Sequence, residues 1–573
     1  MMKLCLAFAA CLVNAISAFA QPMLIDPNLT VSLVASGLDM PTQMVFIGSD
    51  DILVLQKNDG KVMRVTNGVL QPTPVLDVDV DPRSFGGLLG IALHPNFQTN
   101  KYVYLRYVEG NTGNDTLGSA VDNSNRVYRY TWDSVTGTLT NATLILSLPI
   151  SQVSGNYGGV LAFGPDGKFY VSMGDLGGTG QLQNNPSGAP PNDTSVILRL
   201  NDDGTTPRNN PFFYQGDPVA RYFAYGIRNS FGMAFDPVTG KLWNTENGPA
   251  NWDEINLVEP GFNSGWTKLQ GPASRDADGD TTSDLFSLTR SKYADPKFSW
   301  FESVGVTGIV FLDSTELGPE YENNIFVGDY VFSNLYRFQL NKKRDGLLLV
   351  DDLADKVADN SNERNDARIG ESFNGITDLK VGPDGLLYVL SLFDGAIYAI
   401  HPVVEFGVSA IPDGELGAAY DINLNFTGGT APYVVTVVGG SLPAGLNIVN
   451  GSVTGTPTEM NKALFTLQVA EQGGATTLRT FGMRVYAALS IITKSLRTGR
   501  VGKRYVADLN SKGGKGPYTW TLTAGTLPSS LALEAATGKI TGTPSATANT
   551  NLTFQVTDAL GVAVQKAFAL VID

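Results

Sequence analysis

A unit that recurs six times between Gly37 and His401 constrains this chain more than any other feature. Each copy reads as a short apolar strand, a Gly/Asp/Pro turn, a second strand rich in aromatics, and a third strand. The first copy is Gln43–Phe46, Ile52–Leu55 and Val62–Val65. The third and sixth carry the same turn, Gly164-Pro165-Asp166-Gly167 and Gly382-Pro383-Asp384-Gly385. One such sheet cannot bury both faces alone, so copies must pack side by side, and six copies predict a six-bladed β-propeller over residues 21–402. The period, roughly 50 to 75 residues, exceeds a bare blade because the loops are long. The longest, Gly110–Asn125, Gly177–Asp193 and Arg275–Pro296, are expected to build binding surface.

After His401 the pattern changes to two copies of another unit. Ala431-Pro432-Tyr433 answers Gly516-Pro517-Tyr518, and Val453-Thr454-Gly455-Thr456-Pro457 answers Ile540-Thr541-Gly542-Thr543-Pro544. Alternating strands such as Leu464–Val469 and Leu552–Val556 predict two tandem Ig-like, or cadherin-like, β-sandwiches over 403–486 and 487–573. They resemble the Ig repeats of bacterial surface proteins in their Leu-Pro-x-x-Leu and Gly-Thr-Pro runs. Asp558, with Glu471 at the matching position, reads as a surface acid. The fold class expected is therefore all-β throughout.

The formal net charge of -15 offers no basic stripe to neutralise phosphates, which argues against a nucleic-acid partner. Met1–Ala20 has a lysine, an apolar run and a small-x-small end at Ala18-Phe19-Ala20, and reads as a cleaved secretory signal peptide. A lipoprotein signal cut before Cys11 has too short an apolar run. Both cysteines, Cys5 and Cys11, fall in this leader, so the mature chain has no disulfide. No later run is long enough to be a transmembrane segment. The chain is expected to be secreted, periplasmic or held at the cell surface.

The densest chemistry lies in Gly226–Trp266. Arg228-Asn229 sets a cation and an amide beside Gly226. The strand from Lys241 runs into Glu246-Asn247-Gly248-Pro249 and on to Asp253-Glu254. A Gly-Pro corner among acids presents carbonyl and carboxylate oxygens, which a hard cation such as calcium prefers. The same residues also suit a plain acidic turn between strands. Asp276–Asp284, with alternate acids around Gly279, divides in the same way between a calcium loop and a solvated loop. Lys342-Lys343-Arg344 reads as a solvated turn.

The order of these motifs resembles the glucose/sorbosone dehydrogenase family, soluble sugar dehydrogenases that use pyrroloquinoline quinone (PQQ). The matching residues are Gly226-Ile227-Arg228-Asn229, Asn247-Gly248-Pro249, Asp253-Glu254-Ile255-Asn256 and Asn263-Ser264-Gly265-Trp266. The resemblance implies that the carbonyls of Gly248 and Pro249 hold calcium, with the carboxylates of Asp253 and Glu254 nearby. It also implies that Arg228, Asn229 and Asn247 contact PQQ, and that a sugar or glycan is the ligand.

The same resemblance exposes departures. The family's base is a histidine, and its position here is Asn156, which takes no proton near neutral pH. Gly155 replaces an acid beside it and Val160 an arginine. Phe85 stands for a glutamine, and Gly375 and Thr377 for two arginines. His94 reads as a turn residue, and His401 has no partner in view. Asp175 is the nearest other base. The resemblance thus implies an exported dehydrogenase-like protein of weak or absent activity. The alternative is a non-catalytic propeller that binds a glycan or protein at the cell surface, as Hedgehog-interacting proteins use a related propeller without this enzymology.

Overall fold

The computed structural model describes residues 21–110, 115, 124–151, 155–472 and 475–573. The expected leader, residues 1–20, and most of the loop 110–125 lie outside the described residues. Strands dominate, and the α-helices among the described residues are the short Phe97–Asn100 and Ser361–Asp366. None is long and apolar enough to cross a membrane. The chain divides after Pro402 into two compact units.

The first unit holds six sheets among the described residues. One edge strand of each is, in chain order, Pro41–Gly48, Leu88–Leu93, Leu161–Phe163, Gly232–Phe235, Val306–Phe311 and Ile376–Val381. Each of these packs against the next and the last against the first, so they close a ring. Alternating apolar residues on the sheets pack between neighbours. Trp243, Ile255 and Phe298 of one sheet meet Ile309, Val327 and Tyr336 of the next. Burying such faces is the main stabilising term, roughly 1.5–3 kcal/mol for each large apolar side chain.

The ring is completed by both ends of the unit. Leu29–Ser36 pairs antiparallel with Ala396–Pro402, from Leu29 opposite Pro402 to Ser36 opposite Ala396. Met23–Leu24 pairs with Arg368–Glu371 in the sheet before it. Deleting residues 21–36 would strip an outer strand and uncover Ile400 and Tyr398. That deletion is expected to abolish the cooperative thermal transition of this unit in circular dichroism. A transition that persists unchanged would rule out the closing role.

The second unit contains two repeats with separate cores. In the first, Val434–Gly440, Lys462–Ala470 and Thr476–Tyr486 face Tyr420–Asn423, Leu446–Val449 and Ser452–Gly455 around Phe465, Leu467 and Phe481. In the second, Thr519–Ala524, Ala548–Thr557 and Ala563–Ile572 face Tyr505–Asp508, Leu531–Glu534 and Lys539–Gly542 around Trp520, Phe554 and Phe568. One reading needs correction. Asp558 and Glu471 are not surface acids but are 6% and 5% exposed. Asp558 accepts from the backbone N–H groups of Lys515, Leu560 and Val562. Glu471 accepts from Thr430 N. Each clamps a turn whose N–H groups would otherwise be buried unpaired.

Candidate functional site

All six sheets of the first unit lend strand ends to one cavity of about 450 Å³. Thr42, Gln43 and Lys57 come from the first sheet, Phe85 and Leu89 from the second, and Asn156 from the third. The fourth supplies Arg228, Asn229, Phe231 and the corner Asn247-Gly248-Pro249. Gly305, Thr307 and Tyr330 come from the fifth, and Thr377 and Leu392 from the sixth. The structure therefore brings together Asn156, Arg228, Asn229, Asn247, Gly248 and Pro249. It does not bring Asp253 or Glu254 to the cavity wall.

The corner is closed by Arg228. Its Nη1 donates to the carbonyls of Asn247 (2.9 Å) and Gly248 (2.8 Å). The guanidinium also lies over the Trp266 ring, 5.2 Å from the centroid. Burial holds its pKa below the usual arginine value, against the pull of Asp175, Glu246 and Asp253. The Gly248 carbonyl, which the resemblance assigns to calcium, thus accepts from Arg228. Only glycine suits position 248, since a Cβ would lie 1.8 Å from the Asn251 carbonyl oxygen. Asn247 Nδ2 donates to Val306 O (2.7 Å), and Asn229 Oδ1 accepts from Gly158 N (3.1 Å). These two amides are tied to backbone and hold the wall in place.

The two carboxylates expected near the metal both accept hydrogen bonds, and Asp253 does so from the corner itself. Asp253 is fully buried and accepts from Gly248 N, Ser303 Oγ, Val304 N, Gly305 N and Val306 N. Glu254 accepts from Gly271 N (2.8 Å) and Asn256 Nδ2 (2.9 Å). Glu246 accepts from Arg228 N (2.6 Å) and Ser264 Oγ (2.7 Å). Among the described residues, no group of three or more acids, histidines or cysteines is arranged to hold a metal. The acidic loop satisfies itself: Asp276 accepts from the N–H groups of Asp278 and Asp280, and Asp280 pairs with Lys268.

Burial raises the pKa of both Glu246 and Glu254, and repulsion from Glu246 raises Glu254 further. A raised acid binds more protons folded than unfolded. Its stabilising contribution is full below the ordinary carboxylate range and is lost as pH rises through the raised values. The melting temperature of the first unit is expected to fall from mildly acidic to mildly alkaline pH, and Glu254→Gln to flatten part of that slope. Asp329, lifted by burial to about 7, adds to the slope with the same sign. A melting temperature that rises over this window would contradict the assignment.

Asn156, at the position of the expected base, is held by Asp175. Its Nδ2 donates to Asp175 Oδ1 (2.9 Å), and Trp266 Nε1 donates to Asp175 Oδ2 (2.9 Å). Gly177 N also donates to Asp175 (3.0 Å). Asp175 is 3% exposed and lies behind Asn156. The amide so fixed has Oδ1 left to accept a hydrogen bond from a ligand hydroxyl. Neither histidine reaches the cavity. His94 Nδ1 is 2.9 Å from Asn96 N in its turn, and the buried His401 lies 3.1 Å from Pro402 O.

Of the positions of the two expected arginines, Thr377 lines the cavity and Gly375 is closed to a side chain. Thr377 Oγ1 donates to Pro41 O (3.0 Å). Gly375 has φ +82°, and a Cβ there would meet the Phe393 ring at 2.9 Å. Phe85, in place of a glutamine, sits 6.5 Å from Phe231 between ring centroids. Tyr330 and Phe393 pair at 5.5 Å. The sequence motifs do not single out Phe231, Tyr330 or Lys57, because nothing local marks a strand end as cavity lining. Lys57 is held by Pro82 O and Asn58 Oδ1, both at 3.1 Å, and burial lowers its pKa. The site thus offers aromatic faces, two cations and the amide oxygens of Asn156 and Asn247.

A family model described as glucose/sorbosone dehydrogenase matches residues 38–399. One described as "Putative Ig domain" matches 402–486 and 489–573. Aldose sugar dehydrogenase YliI of Escherichia coli (strain K12) is 27% identical over 375 residues, covering 64% of this chain and 90% of that protein. Quinoprotein glucose dehydrogenase B of Acinetobacter calcoaceticus is 32% identical over 262 residues, covering 43% of this chain and 53% of that one. The apo-form crystal structure of the soluble aldose sugar dehydrogenase from Escherichia coli matches with a TM-score of 0.53. It does so at 24% identity over 65% of this chain and 99% of that one, a likeness of fold.

Proposed function

The chain belongs to the glucose/sorbosone dehydrogenase family, and from that premise we propose that it binds a neutral sugar in the central cavity without oxidising it efficiently. The six sheets are read as six blades, and the cavity as the mouth of their channel. The observation that carries the reading is Asn156, an amide clamped by Asp175 where the family places its base. It accepts a hydroxyl proton in a hydrogen bond but does not remove it. Phe85, Phe231 and Tyr330 offer faces on which a sugar ring stacks. PQQ carries three carboxylates and wants cations. The cavity supplies Lys57 and Arg228, and Arg228 already serves the corner carbonyls. The donor set present does not fit PQQ clamped by calcium.

Trp266, bonded to Asp175 and stacked with Arg228, makes its fluorescence a reporter. Aldoses and short glycans are expected to change it saturably, with Kd near the millimolar range, about −4 kcal/mol. Phe85→Ala combined with Tyr330→Ala is expected to weaken binding about tenfold, since each aromatic contact contributes about 0.5–1.5 kcal/mol. No response to any sugar at about 100 mM, a bound free energy near zero, would sink the reading.

The second reading is slow PQQ-dependent oxidation, favoured by the presence of Lys57 and Arg228 in one cavity. We also infer export, with residues 1–20 as a removed leader. Sequencing the N-terminus of exported protein is expected to begin at Gln21.

A further inference from the structure

A second cavity of about 500 Å³ lies at the other end of the strand Leu242–Glu246. The central cavity receives Asn247 from one end of that strand, and this one receives Lys241 from the other. Four lysines line it: Lys241, Lys292, Lys297 and Lys356. They come from separate stretches of a chain whose formal net charge is -15. Two carboxylates, Glu259 and Asp345, share the wall.

The four ammonium groups outnumber the two carboxylates of the lining. Lys241 lies 3.8 Å from Glu259. Among the described residues, no carboxylate lies within ion-pair distance of Lys292, Lys297 or Lys356. Lys297 is half-buried, and its ammonium is disfavoured first by burial and then by Lys356 and Lys241, while Asp345 and Glu259 favour it. Lys241 and Lys297 are half-buried and Lys292 and Lys356 exposed at the rim; like charges gathered there repel, and an anion between them relieves the repulsion.

The wall is also anchored. Arg344, expected to be solvated, instead donates through Nε and Nη2 to Asp236 (2.6–2.9 Å) and to Asn323 O. That tether holds the loop carrying Asn341, Asp345 and Leu347 against the sheet. Asn341 Nδ2 donates to Asp345 Oδ1 (2.9 Å), which fixes the two polar side chains relative to each other.

We propose that this cavity binds a small phosphate-bearing polyol, with the phosphate on the lysine ammonium groups and hydroxyls on Glu259 and Asp345. Lysines act as point charges that suit a phosphate, whereas a planar carboxylate favours the arginine fork. The volume suits a sugar-sized molecule. This site takes no part in the central cavity's chemistry, and its test separates from that of the neutral-sugar reading.

The test is calorimetric titration of the full chain with inorganic phosphate, glucose 6-phosphate, glucuronate and glucose, at low and at physiological salt. Inorganic phosphate and glucose 6-phosphate are expected to bind, more weakly as salt screens the charges. Lys297→Met with Lys356→Met keeps the aliphatic stems. It is expected to weaken glucose 6-phosphate at least about tenfold, through the loss of two charge-assisted contacts. The response to glucose, which reports the central cavity, is expected to stay unchanged. Lys297→Arg with Lys356→Arg is expected to retain binding, which guards against a mere folding defect. Lys342→Met with Lys343→Met, outside the cavity lining, is expected to have no effect. No binding of either phosphate at about 10 mM, or binding untouched by the double methionine variant, would overturn the site. Glucuronate binding as tightly as glucose 6-phosphate would overturn the phosphate class.

Discussion

The full chain, supplied with PQQ, calcium, an electron-accepting dye and glucose, is expected to oxidise the sugar about 10²–10⁴-fold more slowly than a relative carrying the histidine base. That factor is what general-base assistance typically contributes, and Asn156 supplies none. Asn156→His alone is expected to recover little of it. Asp175 stands behind the new imidazole and would orient it, but the corner remains occupied by Arg228. Gly375→Arg is expected to destabilise rather than rescue, because of its φ of +82° and the Phe393 ring 2.9 Å from the added Cβ. Rapid dye reduction by the unmodified protein, dependent on PQQ, would overturn both the sugar-binding reading and the slow-oxidation alternative.

Asp253→Ala is expected to destabilise the first unit by about 3–5 kcal/mol, since several buried donors lose their acceptor at about 1–3 kcal/mol each. Five donors converge on this carboxylate, from Gly248 N to Val306 N. Removing it leaves four backbone N–H groups without their acceptor in a buried place. Two of these donors belong to Gly248 and Gly305, which line the central cavity, so sugar binding is expected to fall along with stability. Asp253→Asn keeps one acceptor oxygen and is expected to lose less. A thermal midpoint unchanged in the alanine variant would show that water replaces the carboxylate.

The strands and the two-unit plan were legible because alternation and Gly/Asp/Pro turns are local signals. Pairing partners were not. Met44 N donates to Asp378 across 334 residues of chain, and nothing near either residue announces the other. Arg344 was hidden for the same reason: its partner Asp236 is 108 residues away, so a basic run looked solvated. The convergence of Asn156, Arg228 and the Asn247-Gly248-Pro249 corner was readable through motif order. That Arg228 donates to the carbonyls of Asn247 and Gly248 was not, since nothing in the sequence says which way a carbonyl turns. Glu471 and Asp558 show the limit in the second unit. An acid in a turn reads as surface until the backbone donors around it are seen.

The antiparallel pairing of Leu29–Ser36 with Ala396–Pro402 also orders events in time. A chain made from its N-terminus presents the first of these strands long before the second exists. Its ladder groups and Leu29 stay uncovered while the intervening sheets assemble, in a topology whose long-range contacts make folding slow. The nascent first unit therefore keeps this edge unpaired until residue 402 has emerged. Residues 403–573 follow, and their hairpins pair over short spans of chain.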